Sequence, residues 1–203
     1  MKNVVLLYNT CCIYEISILN YFLSVTGQEV LFVSLDGDEK RATEGYRICP
    51  ESALSQIKPK ETGLVIIPGG DIEEIDREEV WNILRRVKKQ GGILAGICAG
   101  VDVLEHAGIL EGIISTHAAD LDVAVSEQVI TARANGYVDF AIEVAKKLDL
   151  FEDAEHRARQ RQLDITLDNL RARYGKTCVL RGRACFDPAL GLVQREEHAF
   201  LRK

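Results

Sequence analysis

Short apolar runs alternate with stretches of helical periodicity through residues 1–150, and this alternation restricts the chain to one class of fold. Residues 4–8, Val30–Ser34, residues 64–67, Ile93–Ile97 and Val129–Ala132 are continuous apolar segments, read as strands buried on both faces. Residues 15–25 carry Ile16, Ile18, Leu19, Phe22 and Leu23 and stop at Gly27. Asp76 and Glu79 form a D-x-x-E capping pattern ahead of Val80, Ile83, Leu84 and Val87, so a helix is expected from Asp76 to the Gly91-Gly92 stop. A helix with Val101, Leu104 and Ala107 on one face follows the 93–97 run and ends at Gly108, and residues 137–148 form another. Residues 113–115 and 123–125 are short and β-like, and residues 36–51 are turn-rich and polar. Strands alternating with helices make an α/β fold, a mainly parallel sheet with helices on both faces. Ligands in such folds bind at the carboxyl ends of the strands. Turn signals at residues 9–14, 68–71 and 96–100 fall at those ends.

Composition sets the remaining limits. A chain of 203 residues with 47% hydrophobic content supports one sizeable core plus an appendage. No run of 18 apolar residues exists, and the N-terminal run reads as a buried strand rather than a signal peptide, so no membrane association is expected. A net charge of −6 argues against a nucleic-acid partner. Six cysteines without C-x-x-C spacing are read as reduced thiols of a cytoplasmic protein. Residues 1–150 carry a charge of −9 and residues 151–203 a charge of +3, so a boundary is placed at Leu150. The second part is expected to be an Arg-rich helical or partly disordered tail, with Leu163, Leu167 and Leu170 as a narrow seam. Cys178, Cys185 and His198 lack zinc-ligand spacing, and no metal or cofactor is expected.

Cys98 stands between the 93–97 strand and the helix that follows. Gly96, Ala99 and Gly100 surround it with small residues, as a nucleophile elbow requires. A thiol at that turn lies near helix N–H groups, which favour thiolate and can hold a developing oxyanion. The same cysteine also suits a small buried hydrophobic position. Glu15 follows the first rim loop in an otherwise apolar stretch. Buried, it would keep its proton and donate to a thiolate; exposed, it would merely complement a helix dipole.

Glu15 after the first strand, VIIPGGD at 65–71, GICAG at 96–100, LEHAGILEG behind it and VITARANGYVDFAIEVAKKL at 129–148 occur in an order that resembles the ThiJ/PfpI superfamily. This is the class I glutamine amidotransferase-like group that includes the parkinsonism-associated protein deglycase. The resemblance covers residues 1–150. It implies a flavodoxin-like sandwich, a homodimer, and a reactive Cys98 hydrogen-bonded to a protonated Glu15. The family's peptidase-type branch resembles C-H-G at the elbow, where this chain has Ala99. Amidotransferases resemble G-x-C-x-G-x-Q, where this chain has Asp102. His117 matches a histidine of the deglycase branch and is a candidate proton shuttle, or an ordinary surface histidine; the T-H-W pattern of isonitrile hydratases is missing, and His106 reads as structural. Gly69, Gly70 and Ala99 are candidate oxyanion donors, with Arg133 and Asn135 on the rim. Cys11 and Cys12 are packing residues, resolving thiols, or soft metal ligands together with Cys98 and His117.

The expected activity is cofactor-independent glyoxalase or deglycase chemistry on a small carbonyl substrate. Hydrolysis of a small amide fits the same groups. A thiol-based oxidative-stress sensor or a chaperone without turnover is the alternative.

Overall fold

The structure, a computed structural model, describes residues 1–151. The expected tail helix and its seam lie outside these residues. The first unit of the chain, Met1–Leu150, is built on a seven-stranded sheet. In chain order the elements are β1 (Lys2–Leu7), α1 (Ser17–Val25), β2 (Val30–Ser34), β3 (Lys40–Arg41), β4 (Arg47–Ile48), β5 (Ser52–Ala53) and β6 (Thr62–Ile67). Then come α2 (Glu78–Lys89), β7 (Ile93–Ile97), α3 (Gly100–His106), β8 (Val123–Ser126), β9 (Val129–Ala132) and α4 (Tyr137–Lys147). The strand order is β5-β2-β1-β6-β7-β9-β8. Every pair is parallel except β8 with β9. This is the flavodoxin-like α/β arrangement.

The central strands are buried on both faces, which is why they read as unbroken apolar runs rather than alternating ones. Helix α1 packs with α4, and α2 with α3. Leu19 and Leu23 of α1 and Phe140, Ala141 and Val144 of α4 are buried in the core, as are Val80, Leu84 and Val87 of α2. From β1 the sheet grows one way to β2 and the other way to β6. The crevice between the carboxyl ends of β1 and β6 is therefore the switch point of the topology, where such sheets bind ligands.

Four expectations need correction. The helix expected from Asp76 starts at Glu78, because the Asp76 carboxylate accepts from Trp81 Nε1 at 3.0 Å and faces His106 Nδ1 at 2.7 Å instead of capping. The helix expected from residue 15 is a 3₁₀ turn at Tyr14–Ile16 followed by α1. Residues 113–115 form no strand; this segment joins the turns that follow, where the Thr116 N–H is satisfied by Thr131 Oγ1 at 3.0 Å. Residues 36–51 hold a small hairpin, β3 with β4, that has no apolar period to betray it.

Candidate active site

Three loops at the carboxyl ends of β1, β6 and β7 meet at the switch point. The loop after β7 carries Cys98. Its φ of 55° is in the left-handed region, where a side chain is strained. The Cys98 N–H donates to Ala132 O at 2.9 Å and its carbonyl accepts from Val101 N at 3.1 Å, which hold the turn in place. A Cβ on Gly100 would collide with Ile67 O, so only glycine lets α3 start against the end of β6. The elbow expected from the small residues is thus present, with Cys98 half-buried at its tip.

The loop after β1 carries Glu15 on the 3₁₀ turn. Glu44 Oε1 accepts the Tyr14 N–H at 2.6 Å and orders that turn. Glu15 is 7% exposed, and its Oε2 accepts the Gly69 N–H at 2.8 Å. Its carboxyl group and the Cys98 thiol face the same small space beside Gly69, close enough for each to act on the other's protonation. A Cβ on Gly69 would lie 2.6 Å from Glu15 Oε2 and 3.0 Å from Cys98 Sγ, so the glycine turn after β6 leaves room for the pair. Tyr8, fully buried, lies beneath and donates to Pro68 O at 2.7 Å.

Burial raises the Glu15 carboxyl above its ordinary range, against the lowering effect of the Gly69 N–H and the Cys98 hydrogen bond. Burial also pushes the Cys98 thiol up, and a charged Glu15 pushes it further; the Ala99 N–H opposes both, while Asp102 adds to the rise. A charged Glu15 therefore opposes ionisation of the thiol. A thiolate made easy by the helix start alone, as expected from sequence, is not what this turn provides. Cys12 is also pushed up, to about 11, by burial and by Glu15 and Glu44, and its Sγ faces Glu44 at 3.5 Å. Cys11 is fully buried, as a packing residue would be.

Other expected site residues are placed elsewhere. His117 faces Asp102 Oδ1 through Nε2 at 3.1 Å and Glu105 Oε2 through Nδ1 at 2.7 Å, so both ring nitrogens are engaged on α3. Arg133 pairs with Asp120 at 2.9 Å, and Asn135 donates to Asp122 at 3.1 Å; both fasten the 115–122 segment. The Gly69 N–H, expected as an oxyanion donor, is spent on Glu15. Among the described residues the Gly70 N–H has no acceptor, and the Ala99 N–H lies beside the thiol. Sequence reading missed Tyr8 and Glu44. Tyr8 closes the apolar run just past β1 and Glu44 lies inside a polar turn, and neither stands in a recognisable pattern.

The DJ-1/PfpI family matches over residues 1–147. The chain belongs to that family. The glutathione-independent glyoxalase DJR-1.2 of Caenorhabditis elegans is 28% identical over 139 residues, covering 61% of this chain and 75% of that protein. Deglycase TK1284 of Thermococcus kodakarensis is 31% identical over 88 residues, covering 42% of this chain and 53% of that protein. Among solved structures, the DJ-1 superfamily protein Atu0886 of Agrobacterium tumefaciens superposes with a TM-score of 0.70 at 22% identity, covering 82% of this chain and 98% of that one. DJ-1beta of Drosophila melanogaster superposes at 0.66 and 22%, covering 80% and 96%. These structures share the fold. Among the described residues no helix is long and apolar enough to cross a membrane.

Proposed function

We propose that this DJ-1/PfpI family member converts small 2-oxoaldehydes to 2-hydroxy acids, with Cys98 as nucleophile and Glu15 as acid and base. The observation that carries the reading is the buried Glu15 carboxyl beside a half-buried Cys98 on a strained turn, with Gly69 leaving the space between them. The family's glyoxalase- and deglycase-named members support it.

The reaction runs through the state in which Glu15 holds the proton and Cys98 is a thiolate. The Ala99 N–H and the greater exposure of the sulfur favour the thiolate, and burial of Glu15 favours its protonated form. Protonated Glu15 then donates to the thiolate, and the charge it would otherwise place beside the sulfur is gone. The thiolate attacks the aldehyde carbon of methylglyoxal, and Glu15 gives its proton to the developing oxyanion, forming a hemithioacetal. The Gly70 and Ala99 N–H groups steady that oxygen. Glu15, now a carboxylate, takes the C1 proton. After a proton moves between the two oxygens of the enediolate, Glu15 returns the proton to C2. The product is a lactoyl thioester. Water cleaves it to lactate and a proton, restoring thiolate and protonated Glu15. No redox cofactor enters, since the C1 oxidation balances the C2 reduction.

His117, with both ring nitrogens on carboxylates, is given no step. The family resemblance also carries a homodimer, which mass measurement in solution checks. The test of the reaction is lactate formation from methylglyoxal by wild type, Cys98→Ser and Glu15→Gln. Both variants are expected to lose turnover by at least about 100-fold, the range for removing a nucleophile or a positioned acid-base group. Turnover surviving in Cys98→Ser excludes the nucleophile. An inert wild type in which peroxide adds two oxygens to Cys98 alone would point to an oxidation sensor instead.

A further inference from the structure

Asp102 and Glu105 are three residues apart on α3 and so share one side of the helix. Their carboxylates converge on His117, at 3.1 Å and 2.7 Å from its two ring nitrogens. Among the described residues neither carboxylate pairs with a lysine or an arginine. Two negative groups therefore share a single imidazole, and the cluster stays short of positive charge even when that ring is protonated. All three side chains reach solvent, with relative exposures of 42% for Asp102, 55% for Glu105 and 32% for His117. The backbone that presents His117 is nonetheless fixed. Ser115 and Thr116 are buried, the Thr116 N–H donates to Thr131 Oγ1 at 3.0 Å, and the Ala118 N–H donates to Ser115 O at 3.2 Å.

We propose that Asp102, Glu105 and His117 form a binding site for a divalent first-row transition ion of the zinc class, with solvent completing the coordination. One ligand atom from each residue can be chosen so that all three lie within 4.8 Å of one another. Zinc bonds to nitrogen and oxygen of about 2.0–2.2 Å ask for ligand atoms somewhat closer than that. The ion takes the place between His117 Nε2 and Asp102, and Glu105, the most exposed of the three, leaves Nδ1 and swings to that edge of the ring. One imidazole and two carboxylates suit Zn²⁺, Co²⁺ and Mn²⁺ and contain no soft ligand. The ion cancels the two carboxylate charges, and one imidazole nitrogen becomes its ligand. The cysteines play no part: the soft set suggested by the sequence, with Cys11, Cys12 and Cys98, loses His117 to these carboxylates. The site does not require the reaction proposed for Cys98, although Asp102 also acts on the Cys98 thiol through its charge.

The test is Co²⁺ titration of the full-length protein, followed by absorption, with Glu105→Gln and His117→Ala alongside and circular dichroism as the folding check. The wild type is expected to bind one Co²⁺ with weak visible bands and no thiolate-to-cobalt charge-transfer band. Each variant is expected to lose at least about tenfold in affinity for that ion. Zn²⁺ is expected to displace the bound Co²⁺. Wild type and folded Glu105→Gln binding Co²⁺ alike would overturn the proposal. So would a thiolate band accounting for all of the bound metal. Glu105 is exposed and makes no core contact, so Glu105→Gln alone decides the matter if His117→Ala fails to fold.

Discussion

A methyl group on Gly69 would sit 2.7 Å from Cys98 Cβ and 2.6 Å from Glu15 Oε2, so the spacing of the reactive pair depends on one missing side chain. Gly69→Ala is expected to cost ~1–3 kcal/mol of stability, read from the urea midpoint, as overpacking does. Lactate formation should fall by about 100-fold, because a displacement of about 1 Å misaligns the reacting groups. Glu15 makes a second prediction at this scale. Its folded pKa is raised, so the native state holds the proton at pH values where the unfolded chain has released it. The stabilisation is complete below the unfolded carboxyl value and is lost as pH rises through the folded one. The stability of wild type minus that of Glu15→Gln, taken from urea unfolding at a series of pH values, should therefore fall as pH rises out of the acid range. A flat difference would mean that burial does not perturb Glu15.

Between residue and fold stands a clamp that holds the first rim loop. Lys40, at the start of β3, is 4% exposed and lies 2.8 Å from Asp36 and 2.6 Å from Glu74. Glu74 also accepts the Asn9 N–H at 3.0 Å, and the Thr10 N–H donates to Arg41 O at 2.7 Å. Lys40→Met keeps the apolar stem but leaves two carboxylates unpaired. It is expected to cost about 2 kcal/mol, less than a fully buried pair because Asp36 is about half exposed. Urea unfolding measures this loss, and an unchanged midpoint would show that β3 and β4 do not hold the loop. This element was illegible in the sequence. Two-residue strands carry no period, and a lysine in a polar turn gives no sign that it will be buried. The strands β1, β6, β7 and β9 were legible because burial on both faces forces apolar runs. The elbow was legible because a tight strand-to-helix turn demands small residues. Asp76 misled because a carboxylate near a helix start can cap it or serve a distant partner, and His106 and Trp81 are distant in sequence.

At the scale of the whole molecule, parallel topology carries Glu15, Gly69 and Cys98 from three separate segments to one crevice. Their order along the chain could be read and the family resemblance implied the Glu15–Cys98 pairing, but the Gly69 N–H on Glu15 was not foreseen. Tyr8 and Glu44 entered the site only through packing, and His117 was drawn away to α3 by two carboxylates that the sequence did not single out. The same convergence makes the proton on Glu15 the centre of the account. The most direct test is the pH dependence of iodoacetamide alkylation at Cys98, read by peptide mass in wild type and in Glu15→Gln. If Glu15 holds the proton and donates it to the thiolate, replacing its O–H with a weaker amide donor raises the apparent thiol pKa and slows alkylation near neutral pH. An unchanged or lower pKa in Glu15→Gln would contradict the account, because it would mean that Glu15 is charged beside the thiol or not coupled to it at all.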